Sequence, residues 1–302
     1  MNPRKHTKRH ESKFVLFRVT SWNGSRYIVS RSKFPVFIFC LLLFCLFVSC
    51  GGEQKVTPDM ARDDLMLRGY KYDEGVFLDS ARDGDVVAVK LFLAAGMSPE
   101  VKNADGETPL SLAARNDHAN AERALLERGA DVNARDKKGV TPLMRAVLNG
   151  SNEAVKTILE FKPDVNAQQN DGSTALMYAV AKNRPEVVDE LLAAGADINK
   201  SDTTVGSALT WATYYGNDEL VALLLDKGAD PNVQNVIGGT PLMFAASKGS
   251  AGAIRLLLDA GADTNAKDKD GKTALKWAQQ SGRQQVVKIL QDASASKRSG
   301  KR

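Results

Sequence analysis

The sequence predicts an all-α repeat solenoid, in which pairs of short antiparallel helices stack in one direction. Two observations predict it. A Thr/Ser-Pro/Ala-Leu tripeptide returns at a constant interval along the chain, and a residue able to end a helix returns with the same period. The tripeptide opens at Thr108, Thr141, Thr174, Ser207, Thr240 and Thr273, and the helix-ending residues are Gly84, Asp117, Gly150, Asn183, Gly216, Gly249 and Gly282.

Each element of one unit follows from its residues. Thr at an N-cap accepts a hydrogen bond from a free amide of the first turn, and Pro at the first helical position has no amide to leave unpaired. Gly, Asn and Asp tolerate the left-handed conformation in which helices often end. The second helix carries paired aliphatic residues such as Leu125-Leu126 and Leu191-Leu192. Since neither helix can bury its apolar face alone, the stack must supply the core.

This pattern resembles the ankyrin repeat, whose period is about 33 residues and whose units open with Thr-Pro-Leu. The Gly-Ala-Asp-Val-Asn turn of that family occurs at residues 129–133, with close variants at 195–199, 228–232 and 261–265. The resemblance covers about seven units over residues 75–293, the first of them divergent. It implies that β-hairpin fingers join the helix pairs. It also implies a non-enzymatic module that binds another protein on a concave face made of finger tips and first helices.

The residues that flank the repeats predict how the array begins and ends. Asp59 to Leu67 is predicted to form a capping helix, with Met60, Leu65 and Leu67 covering the exposed end of the solenoid. The repeat domain with this cap therefore spans residues 59–293, and the Ser-, Lys- and Arg-rich residues 294–302 are expected to be a disordered basic tail.

Two turns depart from the pattern. Lys162 with Pro163 stands where sister units have Gly-Ala, at a cost of about 1 to 2 kcal/mol if Lys162 is held left-handed. Val205 replaces a turn glycine, although Gly206 follows at once. Both are expected to be local irregularities.

The charge distribution excludes nucleic acid as the expected partner. The formal net charge is +5, but the first 49 residues carry nine Lys and Arg and one acidic residue. From residue 50 onward 32 basic residues face 35 acidic ones, so this part of the chain is slightly acidic. A surface that tracks phosphates needs an excess of positive charge.

The N-terminal segment is predicted to be a signal peptide over residues 1–49. Thirteen apolar residues from Val36 to Val48 follow Arg31 and Lys33, and the run is shorter than the roughly 20 residues that span a membrane. Ser49 and Cys50 then resemble a bacterial lipobox, so Cys50 is expected to carry a lipid and residues 50–58 to link it to the repeats. Since residues 1–30 are long and polar, the true start is expected further downstream, for instance at residue 29.

This interpretation predicts a protein of the bacterial cell envelope, anchored by its lipid on the periplasmic side or at the surface of the membrane. Two alternatives stay open at this stage. Cys50 could be an ordinary cysteine at the end of an apolar helix, or the apolar run could remain as an uncleaved membrane helix. Two acyl chains on one cysteine would satisfy the requirement for stable anchoring.

Catalytic chemistry is not predicted. His118 is the one histidine after residue 10, and it follows a helix-ending Asp where the ankyrin pattern often has Gly-His, so a structural role is favoured. The three cysteines lie within residues 40–50, which excludes a disulfide framework in the repeats. The segment at Gly271-Lys272-Thr273 lacks the earlier glycine of a phosphate loop, and Asp268 and Asp270 lack the remaining ligands of a calcium loop. We therefore expect no cofactor, no metal and no catalytic residue.

The candidate partner-binding residues lie at variable positions of the fingers and first helices. In units five and six they are apolar, namely Tyr214, Tyr215, Val236 and Ile237, where sister units carry polar residues. A gathered group of exposed apolar side chains is typical of a binding hot spot, but these residues could also pack between fingers. The basic candidates in an earlier finger are Arg135, Lys137 and Lys138.

A ladder of aromatic residues runs beside these candidates. Tyr178, Trp211, Phe244 and Trp277 recur at the period of the repeat, and this register favours packing in the core over a ligand platform. The sequence thus predicts a protein-binding scaffold or adaptor at the envelope. The alternatives are a polysaccharide binder that stacks sugars on Tyr214 and Tyr215, and a hydrolase or transferase that uses carboxylates or Ser and Lys groups, which would need a cleft.

Overall fold

The structure is a computed structural model that describes residues 56–149 and 152–299, with side chains described up to residue 295. The described residues belong to one compact part of the chain, which begins at Val56. The predictions made for the signal peptide, for Cys50 and for the last residues 300–302 lie outside this range.

The described part of the chain is built from paired helices. Helix α1 precedes the seven pairs, and each pair then forms one unit of the array. The helices are α1 (Pro58–Leu67), α2 (Glu74–Arg82), α3 (Val86–Ala94), α4 (Pro109–Arg115), α5 (Ala119–Leu126), α6 (Pro142–Asn149), α7 (Asn152–Glu160), α8 (Ala175–Ala181), α9 (Pro185–Ala193), α10 (Ala208–Tyr215), α11 (Asp218–Asp226), α12 (Pro241–Lys248), α13 (Ala251–Asp259), α14 (Ala274–Gln280) and α15 (Gln284–Ser299).

The helix starts and stops follow the predicted chemistry. Thr108 Oγ1 accepts the Ser111 amide at 3.2 Å, and Thr240 Oγ1 accepts the Met243 amide at 3.4 Å, so both residues are N-caps. At the end of the first helix, Gly216 has φ +73° and Asn183 has φ +53°, both in the left-handed region. The described members of this register, which excludes Gly150, all have positive φ.

The core is a continuous stack with one buried aliphatic side chain from each second helix of units two to seven. These side chains recur at the period of the repeat, and none is more than 1 % exposed. Because every one is covered by its neighbours in the adjacent units, the units are stable only together. The six residues are Leu125, Ile158, Leu191, Leu224, Leu257 and Leu290.

The fingers are tight turns rather than β-hairpins, which corrects the prediction. In the described residues the one β-bridge joins Ser201 and Ser207. Asn103 shows the cause: its amide donates to the Glu107 carbonyl at 3.1 Å, but the Glu107 amide donates to the Asn103 side-chain Oδ1 at 2.9 Å. The side chain thus takes the place of the backbone carbonyl that a strand ladder would require.

Neighbouring fingers are joined by backbone hydrogen bonds. The Lys137 amide donates to the Asp105 carbonyl at 3.0 Å, and the Lys269 amide donates to the Ile237 carbonyl at 2.9 Å. Between units five and six the contact is made instead by the side chain of Asn235, whose Nδ2 donates to the Val205 carbonyl at 3.0 Å. The irregular turn expected at Val205 therefore changes how two fingers connect, but they stay connected.

The capping helix exists, but two of its three predicted contacts are wrong. Leu65 is fully buried, together with Ala61 one turn earlier, whereas Met60 is 54 % and Leu67 is 77 % exposed. Residues 61 and 65 share one face of a helix, and residues 60 and 67 lie outside that face. The face that covers the solenoid is therefore Ala61 and Leu65.

The C-terminal end also differs from the expectation. The sequence predicts disorder from residue 294, but α15 continues to Ser299. No glycine interrupts the sequence of α15 before Gly300. Ser294 Oγ donates to the carbonyl of Leu290, one turn earlier in the helix, at 2.8 Å. In residues 56–149 and 152–299 no helix is both long and apolar enough to cross a membrane.

Candidate binding face on the fingers and first helices

The finger tips and the first helices form one surface, which we call the finger face, and a repeated side-chain contact joins them. Each finger carries an Asp, Asn or Gln residue, for example Asp202. The fourth residue of the first helix that follows, here Trp211, comes nine positions later. Asp202 Oδ2 accepts the Trp211 Nε1–H at 2.8 Å, and Asp268 Oδ2 accepts the Trp277 Nε1–H at 2.7 Å. These bonds hold the indole rings against the fingers.

The same carboxylates close their own finger turns. Oδ1 of Asp202 accepts the amides of Thr204, Val205 and Gly206 at 2.7 to 2.9 Å, and the residue is 2 % exposed. For Asp268, burial acts to raise the pKa, but the hydrogen bonds from the Lys272 amide and the Trp277 indole outweigh it and lower the pKa. Both carboxylates therefore hold their own finger turn and the indole ring that follows.

Six aromatic rings on the finger face form a connected group, which we call the aromatic array. Successive ring centroids along it are 5.3 to 6.5 Å apart, at the distances of favourable aromatic pairs. In order of contact its members are Tyr178, Trp211, Tyr215, Tyr214, Phe244 and Trp277.

The ladder residues of this array are half-buried, so the predicted core role is only partly right. Tyr178, Trp211 and Trp277 pack against the core on one side, and burial raises the pKa of Tyr178. On the other side Trp211 contacts Tyr215 and Phe244 contacts Tyr214, at 5.8 and 6.2 Å between centroids. The ladder residues therefore lie between the core and the exposed tyrosines.

The four predicted apolar residues are exposed on this face, and we call them the apolar patch. Tyr214 is 38 %, Tyr215 54 %, Val236 46 % and Ile237 48 % exposed. The other exposed large apolar side chains of the described residues all lie within residues 56–87, at the opposite end of the array. The apolar patch is therefore separate from them.

Two further features lie beside the apolar patch. The Lys248 Nζ stands 4.3 Å from the centroid of the Tyr214 ring, in the geometry of a cation–π contact. An open cleft of about 530 Å³ lies next to Tyr215 and is lined in part by Asn183, Asn217 and Glu219. The patch therefore borders both a cation and a polar recess.

The three basic candidates are exposed in the finger of unit three. Arg135 Nη2 donates to the Gln168 carbonyl of the next finger at 2.5 Å, so this guanidinium is partly used inside the array. The backbones of Lys137 and Lys138 accept bonds from Asn170, which leaves their side chains exposed at the tip. Two fingers, those of units four and five, separate this group from the finger that carries Val236 and Ile237.

Sequence reasoning missed a buried ion network beside these residues. Glu107, whose side chain is 3 % exposed, accepts from Arg115 at 3.0 Å and from Arg145 at 3.1 Å, and Arg145 also pairs with Asp136 at 2.6 Å. The signal was available: Arg145 occupies the ladder position one unit before Tyr178. The network holds the finger of unit three in place, and its two carboxylates balance the charge of its two guanidinium groups.

Two further sequence predictions concern metal ligands and His118, the single histidine after residue 10. The described residues include no group of three or more His, Cys, Asp or Glu able to hold a metal. His118 lies against Gly84 of the preceding unit, where a Cβ would come within 2.4 Å of its Nδ1. This contact is the structural role that the sequence favoured.

Comparison with known families identifies the class of protein. A family model described as ankyrin repeats (3 copies) matches residues 77–169, 129–202, 149–235 and 209–299. The chain belongs to the ankyrin-repeat family. Ankyrin repeats form a protein-binding module, and the family is generally a non-enzymatic interaction fold.

Individual relatives agree with this. An ankyrin repeat-containing protein of Treponema pallidum (strain Nichols) is 45 % identical over 56 residues, which cover 18 % of this chain and 19 % of that protein. The human ASB11 ankyrin repeat domain is 29 % identical with a TM-score of 0.62, over 71 % of this chain and 96 % of that one. The ankyrin repeat domain of Bcl-3 is 30 % identical with a TM-score of 0.64, over 71 % and 97 %.

Proposed function

We propose that this ankyrin-repeat protein is a scaffold or adaptor of a bacterial envelope, which holds a partner protein on the finger face and is tethered to the membrane by a lipid on Cys50. The observation that carries the binding part is the exposure of the four residues of the apolar patch, of which Tyr214 and Tyr215 belong to the aromatic array. Exposed aromatic and aliphatic side chains gathered on rigid elements are the usual anchors of a protein interface.

The geometry of the patch favours a protein over a polysaccharide. The ring planes of Tyr214 and Tyr215 stand at 85° to each other, so they do not form a continuous flat platform for successive sugar rings. Val236 and Ile237 add aliphatic surface that suits apolar side chains of a partner. Ring edges and branched side chains together make a contoured surface into which a polypeptide could fit.

The tether is supported by sequence alone. The order of basic residues, thirteen apolar residues, Ser49 and Cys50 is that of a lipoprotein signal. Only seven residues separate Cys50 from Pro58, the start of α1, so the tether itself would be at most about 30 Å long when fully extended. A partner held on the array would then stay close to the membrane.

Site-specific crosslinking of the full chain in its native membrane tests the proposal. A photoreactive residue at Tyr215 should give a discrete adduct with one protein, and the same group at Lys288 on α15 should not. The adduct should sediment with the membrane, and in the Cys50→Ala variant it should appear in the soluble fraction. Identical adducts from both positions would overturn the binding face, and a membrane-bound Cys50→Ala adduct would overturn the tether.

A further inference from the structure

The fingers and first helices together are net basic, whereas the second helices are net acidic. The turns that connect second helices to fingers carry the exposed Asp131, Asp164, Asp197, Asp230 and Asp263 and belong to neither count. The finger side comprises the fingers of units two to seven, which are residues 102–107 and the matching positions of later units, and the first helices with their C-caps. It holds twelve basic and seven acidic residues. The basic residues are Lys102, Arg115, Arg135, Lys137, Lys138, Arg145, Lys182, Lys248, Lys267, Lys269, Lys272 and Lys276; the acidic ones are Asp105, Glu107, Asp136, Asp171, Asp202, Asp268 and Asp270.

The second helices of the same units show the reverse. With their C-caps, and up to residue 295, they hold five basic and twelve acidic residues, of which Glu122 is fully buried and adds nothing to the surface charge. The basic residues are Arg123, Lys156, Lys227, Arg255 and Lys288; the acidic ones are Glu122, Glu127, Glu153, Glu160, Glu186, Asp189, Glu190, Asp218, Glu219, Asp226, Asp259 and Asp292.

The acidic groups of the finger side are mostly turned inward. Glu107 and Asp136 pair with arginines, and Asp202 and Asp268 accept from tryptophans. The basic finger residues, in contrast, are exposed, apart from the half-buried Lys272, which pairs with Asp270 at 3.1 Å. Lys102 and Arg135 each also donate to a carbonyl of the next finger. The charge that a partner meets on this side is therefore more positive than the residue count alone.

The positive charge lies on both sides of the apolar patch along the array. Lys267 and Lys269 belong to the finger of unit seven, which follows the finger of Val236 and Ile237 directly. On the other side, the basic group of Arg135, Lys137 and Lys138 lies in unit three. The fingers of units four to six contain no Lys or Arg, and Lys200, just before the finger of unit five, is half-buried. An apolar centre is thus flanked by two basic groups.

We infer that the partner segment bound by the finger face is acidic, with an aromatic or aliphatic anchor for the apolar patch and carboxylates on both sides of that anchor. The inference rests on the proposed function, because it names the chemistry of the partner that this face would hold. Complementary charge speeds encounter and selects among partners, while the apolar anchor supplies most of the affinity.

The test uses a random peptide display library panned against the purified full chain in detergent. Enriched peptides should carry net negative charge around a large apolar residue, and Tyr215→Ala should abolish their enrichment. For one such peptide, the double variant Lys137→Glu/Lys138→Glu should weaken binding by about tenfold at low salt and by less at high salt. The control Lys90→Glu/Lys288→Glu has the same net charge change on the second-helix side and should leave binding unaltered.

The outcomes separate the two claims. Enriched peptides that are neutral or basic, but still depend on Tyr215, would overturn the acidic partner and leave the binding face intact. If acidic peptides bind equally to both charge-reversal variants, the basic groups are not the recognition element and the inference fails. If no peptide is enriched, or enrichment is indifferent to Tyr215→Ala, the binding face itself is wrong and the inference falls with it.

Discussion

The Trp211 indole donates a hydrogen bond to Asp202, and the pair is one case of a pattern shared by the five units whose finger residue is Asp or Asn. Where the finger residue is Asp, the residue nine positions later is an N–H donor: Arg145, Trp211 or Trp277. Where the finger residue is Asn, the residue nine positions later, Leu112 or Phe244, has no donor. The finger residue is therefore an acid where the later residue has an N–H donor, and an amide where the later residue has none.

This pattern predicts a strong coupling between the two positions. In Asp202→Asn an amide Nδ2–H replaces the oxygen that accepts from Trp211, so two donors face each other and the free energy of unfolding should fall by about 2 kcal/mol. Trp211→Phe alone should also destabilise, because it leaves the buried Asp202 carboxylate with one partner fewer. The double variant recreates the Asn–Phe pair of unit six and should recover at least about 1 kcal/mol relative to the sum of the singles.

Chemical denaturation of the four proteins in a double-mutant cycle measures this coupling. Asn235→Ala removes the turn-closing oxygen together with the Nδ2 bond to the Val205 carbonyl, so it gives the combined cost of these two losses without altering any Trp contact. If the losses in the free energy of unfolding are additive and the double variant recovers nothing, the residues at these two positions do not stabilise each other.

A buried carboxyl at Glu122 predicts an unusual dependence of stability on pH. The residue is fully buried, neither carboxyl oxygen has a hydrogen-bond partner, and sister units carry Val or Ile at this register. Burial, with a smaller contribution from Asp117, raises the pKa of Glu122 to about 8. At neutral pH the folded protein therefore keeps this carboxyl protonated.

The sign of the effect follows from linkage. Below about pH 4.3 both states are protonated and Glu122 contributes no pH dependence. Between about pH 4.3 and 8 the unfolded chain releases the proton and the folded chain does not, so stability falls as pH rises, by about 3 kcal/mol up to pH 7. Above pH 8 the loss levels off.

The change Glu122→Val should therefore raise the free energy of unfolding at pH 7 and should remove this part of the pH dependence. Glu122→Gln removes the titration but keeps a buried amide, so it should flatten the pH profile with a smaller gain. Denaturation between pH 4.5 and 9 distinguishes the variants. A wild-type profile parallel to that of Glu122→Val would show that the carboxyl is hydrated and ordinary.

The sequence was sufficient where the periodicity itself carries the physics. The caps at Thr108 and Thr240, the left-handed ends at Asn183 and Gly216, and the exposure of Tyr215 all follow from register and side-chain chemistry. Glu122 could have been found in the same way, as a carboxyl in a column of aliphatic residues.

The failures arise where three-dimensional contact decides. The finger turns are closed by side-chain oxygens such as Asn103 Oδ1, and no periodicity separates this from a strand pair. The capping contacts of Met60 and Leu67 are wrong because they depend on which side of α1 meets the first unit. The half-burial of Trp211 requires knowing that Tyr215 lies over it, at 5.8 Å between centroids.

Tyr215→Ala is expected to reduce partner affinity by about 2 kcal/mol, since a partly exposed aromatic at the centre of an interface behaves as a hot spot. Its effect on stability should be well below the 3 to 5 kcal/mol typical of truncating a buried aromatic, because the residue is 54 % exposed. Leu224→Ala is the matched control: it is fully buried, so it should lower the melting temperature and leave the affinity of the folded fraction unchanged. The reverse pattern would assign Tyr215 to the core.

Cys50 is expected to carry the lipid. Radiolabelled fatty acid fed to cells should enter the full-length wild type and not Cys50→Ala, since the thiol is the acylated group. Cys45→Ala controls for the general loss of a cysteine in the apolar run and should label normally. Equal labelling of wild type and Cys50→Ala would remove the basis for the tether.

The turn at Lys162 gives the last prediction, because here the sequence holds a residue that the backbone disfavours. Lys162 has φ +52°, and Pro163 after it restricts the same residue further. Lys162→Gly should raise the free energy of unfolding by about 1 kcal/mol, since glycine adopts this conformation without the steric cost of a Cβ. Gly195→Ala is the opposite case: Gly195 has φ +92° and a Cβ there would meet no atom within 4 Å, so any loss reports backbone strain alone. Lys162→Ala keeps the Cβ and should change little. If Lys162→Ala stabilises the protein as much as Lys162→Gly does, the energetic cost at this position comes from the lysine side chain and not from the left-handed turn.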